Sequence, residues 1–402
     1  MTDRRDEGRR PTLLILSSTY PRWENDHEPG FVHELAKRLT DRFRVIALVP
    51  HAPGARRREN FDGVDVVRFR YAPEFSERLA YEGGIASNIK RSIWKALLVP
   101  GFVLSQLIVG AGLIRRERVH LVHAHWAFPQ GVVARLLSII LGVNYVLTCH
   151  GGDLHGLRGC FWTLLRRFAS GGAKYVTTVS GAMRQLLEED GVQDVEVMPM
   201  GVDMATFVLG DPAARSSSQL LFVGRLVPSK GCDILLRAMP EILKECRGVT
   251  LTIVGAGPEL PALHNLSRAL GISSNVEFAG PKSRADVAIL CRGASLLVAP
   301  YTGQEGFGLV LVEALASGCP VVTTRVAAVE EIFVGCLAEN LAEPGSIGSL
   351  ASAVVTQLAR QDVARERTAE LHSWVEKKFS WQASSEAYST LLANVAARHE
   401  DR

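Results

Sequence analysis

Residues 295–324, SLLVAPYTGQEGFGLVLVEALASGCPVVTT, decide the fold. The apolar run SLLVAP ends in a polar, glycine-bearing loop, the helix-forming stretch LVLVEALASG follows, and PVVTT is a second β-branched run. Short apolar runs without polar alternation suit parallel strands buried on both faces, and the helix between them is the crossover that parallel pairing requires. The same alternation continues outward. Strands are expected at LLFVG, LTIVG and VEFAG in this half, and at TLLILSS, RVIALVP, VDVVRFR, HLVHAH, YVLTCH, YVTTVS and VEVMPM in the first half. FVHELAKRL, after the first strand, sets Phe31, Leu35 and Leu39 on one helix face.

The reading is an α/β chain of two tandem Rossmann-like domains, residues 1–205 and 206–375, facing each other across a cleft. VLGDPAARSSSQ, residues 208–219, breaks the pattern with Gly, Pro and three serines and is the candidate linker. Ligands of open α/β sheets lie at the carboxyl ends of the strands, so the active site is expected in the cleft between the domains. Repeats of short period are absent, which removes solenoids and propellers.

With 402 residues, 47% of them hydrophobic and 22% charged, the chain reads as a globular enzyme and not as a disordered scaffold. A net charge of +3 is too balanced for a protein whose main partner is nucleic acid. The charge is unevenly placed: residues 1–205 carry 27 basic and 22 acidic side chains, whereas residues 206–402 carry 18 and 20. Seven cysteines without a CxxC pair suggest neither a disulfide framework nor a zinc knuckle. MTDRRDEGRRP lacks the apolar core of a signal peptide, so a cytoplasmic location is expected.

Residues 96–114, ALLVPGFVLSQLIVGAGLI, carry no charge and could just span a bilayer. Pro100, Gly101, Ser105 and Gln106 interrupt the run, and the strand that follows favours a helix of the α/β layer. The clusters Lys90/Arg91/Lys95 and Arg115/Arg116/Arg118 also suit an anionic membrane surface, which would place the protein peripherally on the inner face of the plasma membrane.

Chemistry concentrates at turns. In Glu305-Gly306-Phe307-Gly308 the glycines let backbone approach a ligand, and the helix that follows presents unpaired N–H groups suited to a diphosphate. Glu313 lies eight residues beyond Glu305, which at the helical rise gives ~12 Å between the carboxylates along one axis. Arg225 and Lys230, in FVGRLVPSKG after the first strand of the second domain, offer a planar fork and a point charge for two phosphates. In TCHGGD, His150 stands at a strand end, with His123, His125 and Trp126 after a neighbouring strand. Imidazoles there can bond a sugar hydroxyl or a leaving group. A metal site of His123, His125, His150 and Asp153 competes, but HExxH is absent and a third fixed ligand is missing. Gly255-Ala256-Gly257, with Glu277 twenty residues beyond Gly257, imitates a dinucleotide fingerprint whose third glycine is replaced by Leu260. No P-loop, GxSxG or kinase signature is present.

Glu305 and Glu313 in an E-x7-E run, GRLVPSKG, TCHGGD, PMGVD at 199–203 and YPRWENDHEPGFVHELAKRL, in that family's order, resemble glycosyltransferase family 4. The resemblance covers about residues 12–395. It implies the GT-B fold and a retaining, metal-independent transfer of sugar from an NDP-sugar, with no cofactor beyond that co-substrate. By the same resemblance Arg225 and Lys230 hold the diphosphate, Glu313 the ribose, and Glu305 with the Gly306, Phe307 and Gly308 amides the transferred sugar. Gly30 sits by the β-phosphate, His150 faces the sugar, and VEFAG, with Phe278 and Gly280, lies beside the nucleobase. The C-terminal segment, residues 376–402, is a helix crossing back to the first domain. Cys149, where many relatives carry a small or apolar residue, is a point of expected thiol sensitivity.

The function expected is hexose transfer to a lipid-linked acceptor or to a polysaccharide or glycoconjugate of the cell envelope, because the first domain binds acceptors in this architecture and is the more basic half. The alternatives are a nucleotide-sugar 2-epimerase of the same fold and an inert sugar-nucleotide sensor. The presence of Glu305, Glu313, Arg225 and Lys230 argues against the sensor.

Overall fold

The computed structural model describes residues 10–400 except 25, 27, 29, 82–83, 156–158, 304, 334–339 and 362–365. The chain divides into two compact units, one of Met1–Pro199 with Ser384–Arg402 and one of Met200–Ala383. Residues 208–219 are bonded into the second of these: Gly210 N–H donates to the Ser317 carbonyl and Ser216 N–H to that of Gly293.

The first unit holds β1 (Thr12–Leu16), β2 (Arg44–Pro50), β3 (Arg58–Phe61), β4 (Val64–Phe69), β5 (Leu121–His125), β6 (Asn144–Cys149), β7 (Tyr175–Thr178) and β8 (Val195–Val197). They form one sheet in the order β3-β4-β2-β1-β5-β6-β7-β8. All pairs are parallel except β3 with β4. β1 and β5 are buried throughout, as expected for central strands covered on both faces. The strand β3 was not expected from the sequence. RENF is polar at three of four positions, but Asp62 and Gly63 both take positive φ, 50° and 81°, and close the tight hairpin that pairs β3 with β4.

The second unit holds β9 (Gln219–Val223), β10 (Thr250–Val254), β11 (Val276–Gly280), β12 (Leu296–Ala299), β13 (Val321–Thr324) and β14 (Leu341–Ala342). Its order is β11-β10-β9-β12-β13-β14, and every pair is parallel. Counted within the unit this is 3-2-1-4-5-6, the doubly wound order in which the chain reverses direction between its first and fourth strands. The helix Cys232–Glu245 turns Leu235, Leu236, Met239 and Ile242 onto a core with Leu220, Leu251 and Val298.

The apolar run of the first unit belongs to a helical segment, Ile93–Glu117, that is long and apolar enough to cross a membrane by length and composition. It is packed on one side only. Phe102, Gln106, Gly110, Leu113 and Ile114 are buried, while Leu104 and Ile108 face outward. The last helix, Trp381–Glu400, buries Trp381, Tyr388, Leu391 and Leu392. Tyr388 donates to the Met198 carbonyl at 3.3 Å and lies beside the His123 ring.

Candidate active site

In the second unit the reversal point lies between β9 and β12, and the two loops leaving these strands carry the charged candidates. Gly231, at φ 68°, packs so tightly that a Cβ would stand 1.9 Å from the Pro300 carbonyl oxygen. Thr302 N–H donates to the Ser229 carbonyl at 3.1 Å, and its hydroxyl donates to that of Pro228 at 2.8 Å. The loops are thus joined along their backbones, and Lys230 Nζ reaches Glu305 Oε2 at 2.5 Å. The ammonium also lies 4.7 Å from the centre of the Tyr301 ring. Arg225 is exposed on the turn directly after β9.

Gly308, at φ 78°, is the N-cap of the helix Leu309–Ala316, and among the described residues no side chain caps that end. Glu305 therefore precedes the helix within the loop and does not cap it. The helical rise does not apply between Glu305 and Glu313, and the expected ~12 Å along one axis is withdrawn. The Phe307 ring turns into the interior against Phe379, with centroids 5.5 Å apart, which leaves its backbone as the part to meet a ligand. Glu313 is 9% exposed within the helix and pairs with Arg284 Nη2 at 2.8 Å. Burial raises its carboxyl above the usual range, against the pull of Arg284.

Two residues here were not singled out from the sequence. Arg284 is the first residue of a helix capped by Ser283, whose hydroxyl accepts from Asp286 N–H. The Ser283-x-x-Asp286 spacing was the available signal. Tyr301 is 2% exposed and its hydroxyl has no partner among the described residues. A Cβ built on Gly308 would stand 3.7 Å from that oxygen, so it lies close to the N-terminus of Leu309–Ala316. Burial raises the phenol well above its ordinary range, with Glu305 and Glu313 adding to the shift.

β11 is an edge strand, with the Phe278 ring tilted against that of His264 at 4.0 Å between centroids and Gly280 accepting from Gly255 N–H. The dinucleotide-like glycines have a packing purpose. A Cβ on Gly255 would stand 1.9 Å from the Gly224 carbonyl oxygen, and one on Gly257 2.2 Å from that of Leu226. The turn therefore presses against the Arg225 turn, and the fingerprint reading falls.

In the first unit the chain reverses between β1 and β5. Gly30 is the N-cap of the helix Phe31–Arg38, which follows the loop leaving β1. Buried Arg68 fixes that loop by donating to the Pro21 carbonyl at 2.9 Å. The Phe31 ring lies 4.9 Å from that of His150, so the structure brings Gly30 and His150 to one place. His150 Nε2 and His125 Nδ1 are 2.8 Å apart, and His123 Nε2 bonds the Thr148 hydroxyl at 2.8 Å. Burial holds His123 and His150 down to about 3 and His125 well below its ordinary value, so all three rings are neutral at pH 7. A hydrogen bond between two neutral imidazoles needs one donor and one acceptor.

Asp153 does not offer a metal its oxygens. They accept from the N–H groups of Ala127, His150 and Gly151 and tie the turn after β6 to the end of β5. Among the described residues no group of three or more His, Cys, Asp or Glu side chains is placed to hold a metal ion. Cys149 is fully buried and burial pushes its thiol up, so the expected thiol sensitivity is corrected. Exposed Cys160 is the better target.

Residues 31–201 match the Glycosyl transferase 4-like domain, and residues 217–360 match the Glycosyl transferases group 1 domain. A glycosyltransferase of Methanocaldococcus jannaschii, itself uncharacterized, is 30% identical over 285 residues, 70% of this chain and 77% of that protein. The chain belongs to glycosyltransferase family 4. The GDP-mannose-dependent alpha-(1-6)-phosphatidylinositol monomannoside mannosyltransferase of Mycobacterium tuberculosis is 31% identical to the transferase over 67% of this chain and 74% of its own. Among solved structures, sucrose-phosphate synthase from Thermosynechococcus elongatus superposes with a TM-score of 0.80 at 20% identity, covering 97% of this chain and all of that one. Anabaena HepE in complex with UDP and glucose gives 0.73 at 18%, covering 96% and 100%. The transferase therefore has the GT-B fold, two parallel-sheet α/β domains.

Proposed function

We propose that this glycosyltransferase moves a hexose from an NDP-sugar, with retention of anomeric configuration and without a metal ion, to a lipid-linked or polysaccharide acceptor of the cell envelope. The observation that carries the donor reading is the Lys230–Glu305 pair, held where the second sheet reverses and beside an uncapped helix N-terminus. A diphosphate arriving there meets Lys230, the Arg225 fork and unpaired helix N–H groups. These donors act most strongly on the charge that develops as the nucleoside diphosphate leaves. Lys230 then exchanges its carboxylate partner for phosphate, and Glu305 is released toward the hexose.

In this reading Glu313 accepts the ribose hydroxyls and Phe278 with Gly280 borders the base. The Gly306, Phe307 and Gly308 backbone lines the sugar, Gly30 lies at the β-phosphate and His150 bonds a sugar hydroxyl. No cofactor takes part. The lipid-linked acceptor finds support in the excess of basic residues in the first half of the chain, and in a relative that is named as a phosphatidylinositol monomannoside mannosyltransferase. The enzyme then works at the cytoplasmic face of the plasma membrane, peripherally attached.

A thermal-shift screen of UDP-, GDP- and ADP-sugars selects the donor, because a ligand that binds only the native state raises the melting temperature. Proton NMR of the product formed with that donor then reads the anomeric configuration. Retention supports the reading, and an inverted product contradicts it.

A further inference from the structure

We propose that the outer face of three neighbouring helices in the first unit, Leu98–Glu117 with its preceding turn Ile93–Leu97, Val132–Leu141 and Cys160–Ser170, is a docking surface for an anionic lipid bilayer. The face is apolar to an extent that a water-facing helix layer does not need. Trp94, Leu97, Ile108, Ile140, Phe161 and Leu164 are each 57–77% exposed. They share one layer: Gly110 seats against Leu137 of the middle helix, which in turn packs on Cys160–Ser170. The surface is therefore wider than the single apolar segment that sequence reading selects.

Charge decides what covers it. Residues 83–187 contain twelve Lys and Arg but two acids, Glu117 and Asp153, in a chain whose net charge is +3, and of the twelve, Arg166 and Arg184 pair with Asp190 and Glu188 just beyond. Neither acid offsets the surface. Asp153 is buried under backbone amides, and Glu117 is paired with Arg44 at 2.9 Å. Arg91, Arg115, Arg116, Arg118 and Arg167 are exposed. A second copy of the same face would oppose like charge with like charge. An anionic head-group layer neutralises it, while Trp94 and Phe161 suit the boundary between head groups and acyl chains.

The proposal deepens the lipid-linked acceptor reading and is separable from it, because vesicle binding needs neither donor nor acceptor. The full chain is co-sedimented with phosphatidylcholine vesicles and with vesicles of equal parts phosphatidylcholine and phosphatidylglycerol, at low and high salt. The proposal expects pelleting with the anionic vesicles alone, weakening as salt shortens the screening length. Arg115→Gln/Arg116→Gln is expected to lower the apparent affinity about tenfold or more. Leu104→Ser/Ile108→Ser and Phe161→Ser/Leu164→Ser are each expected to weaken binding while keeping the wild-type donor-induced thermal shift, which shows that they fold. Absence of pelleting with anionic vesicles, or equal pelleting of wild type and all variants, overturns the proposal. So does a dimer in sedimentation equilibrium that the serine variants dissolve, because the face would then be an interface between copies. Loss of vesicle binding with transfer to a soluble acceptor intact would sink the surface and leave the transferase standing. Tight vesicle binding without transfer to any lipid acceptor would keep the surface and remove the lipid-linked acceptor.

Discussion

Lys230 and Glu305, seventy-five positions apart in the chain, meet at 2.5 Å because the loops after β9 and β12 leave the second sheet on either side of its reversal point. Both side chains are about four-fifths buried, so each needs the other while no ligand is present. Glu305→Gln is expected to cost roughly 1.5–3 kcal/mol of stability in the ligand-free protein, the range of a hydrogen bond to a charged group. Denaturant titration of wild type and variant measures it. A variant as stable as wild type would show that the pair does not hold the loops.

Turnover is expected to fall by about a hundredfold or more in Lys230→Ala, with the fold intact, because in the proposed site this donor acts on charge that grows toward the transition state. Arg225→Ala is expected to behave in the same way. Initial rates at saturating donor check both variants, and near-wild-type rates in both would place the leaving diphosphate elsewhere.

Chelation is expected to leave activity unchanged. In the proposed site two basic side chains and a helix N-terminus serve the diphosphate without a metal ion. Loss of activity in EDTA, restored by magnesium or manganese, would contradict the metal-free reading.

The strands, the βαβ order and the E-x7-E and GRLVPSKG turns were legible because each is local: apolar runs, glycines and charges at fixed spacing. The Lys230–Glu305 and His125–His150 contacts were not, although all four residues were named. They depend on which strands become neighbours, and for the histidines on the register that sets His125 against Thr148. The polar RENF strand exists only through its Asp-Gly hairpin, and the outward apolar residues of Ile93–Glu117 could not be told from buried ones by composition. Arg284 and Tyr301 gave weaker signals, because a helix-start arginine and a tyrosine in a loop are commonplace until their neighbours are known.

If Glu313 accepts the ribose hydroxyls as proposed, its contact with Arg284 is expected to make donor binding depend on pH. Burial raises the Glu313 carboxyl and Arg284 opposes the shift, so Arg284→Met lets it rise further. A protonated carboxyl is a poorer acceptor for ribose hydroxyls. Donor affinity is therefore expected to fall as pH drops through the Glu313 value, and the fall is expected to begin at a higher pH in the variant. Donor Kd measured by calorimetry across pH tests this, and superimposable profiles would remove Glu313 from the ribose.

Buried His123 and half-buried His150 set a second pH dependence, in stability. His123 and His150 titrate near 3 in the folded chain against an ordinary 6.5, so between those values the unfolded state binds more protons. Their contribution is full above about pH 6.5 and is lost as pH falls toward 3. His123→Asn is expected to flatten the decline of stability over that window, as read from denaturant midpoints at successive pH values. An unchanged slope would mean that His123 is not held neutral by burial.

Isothermal titration of UDP, GDP and ADP against wild type and Lys230→Ala tests the central claim most directly, because it asks whether a nucleoside diphosphate sits at the Lys230–Glu305 loops without requiring any acceptor. One of the three is expected to bind wild type, with Kd rising at least about tenfold in Lys230→Ala, the change that loss of one charge-assisted hydrogen bond brings. The control Arg184→Ala, an exposed residue on a helix of the first unit, is expected to bind as wild type does. Equal Kd values for wild type and Lys230→Ala would contradict the account.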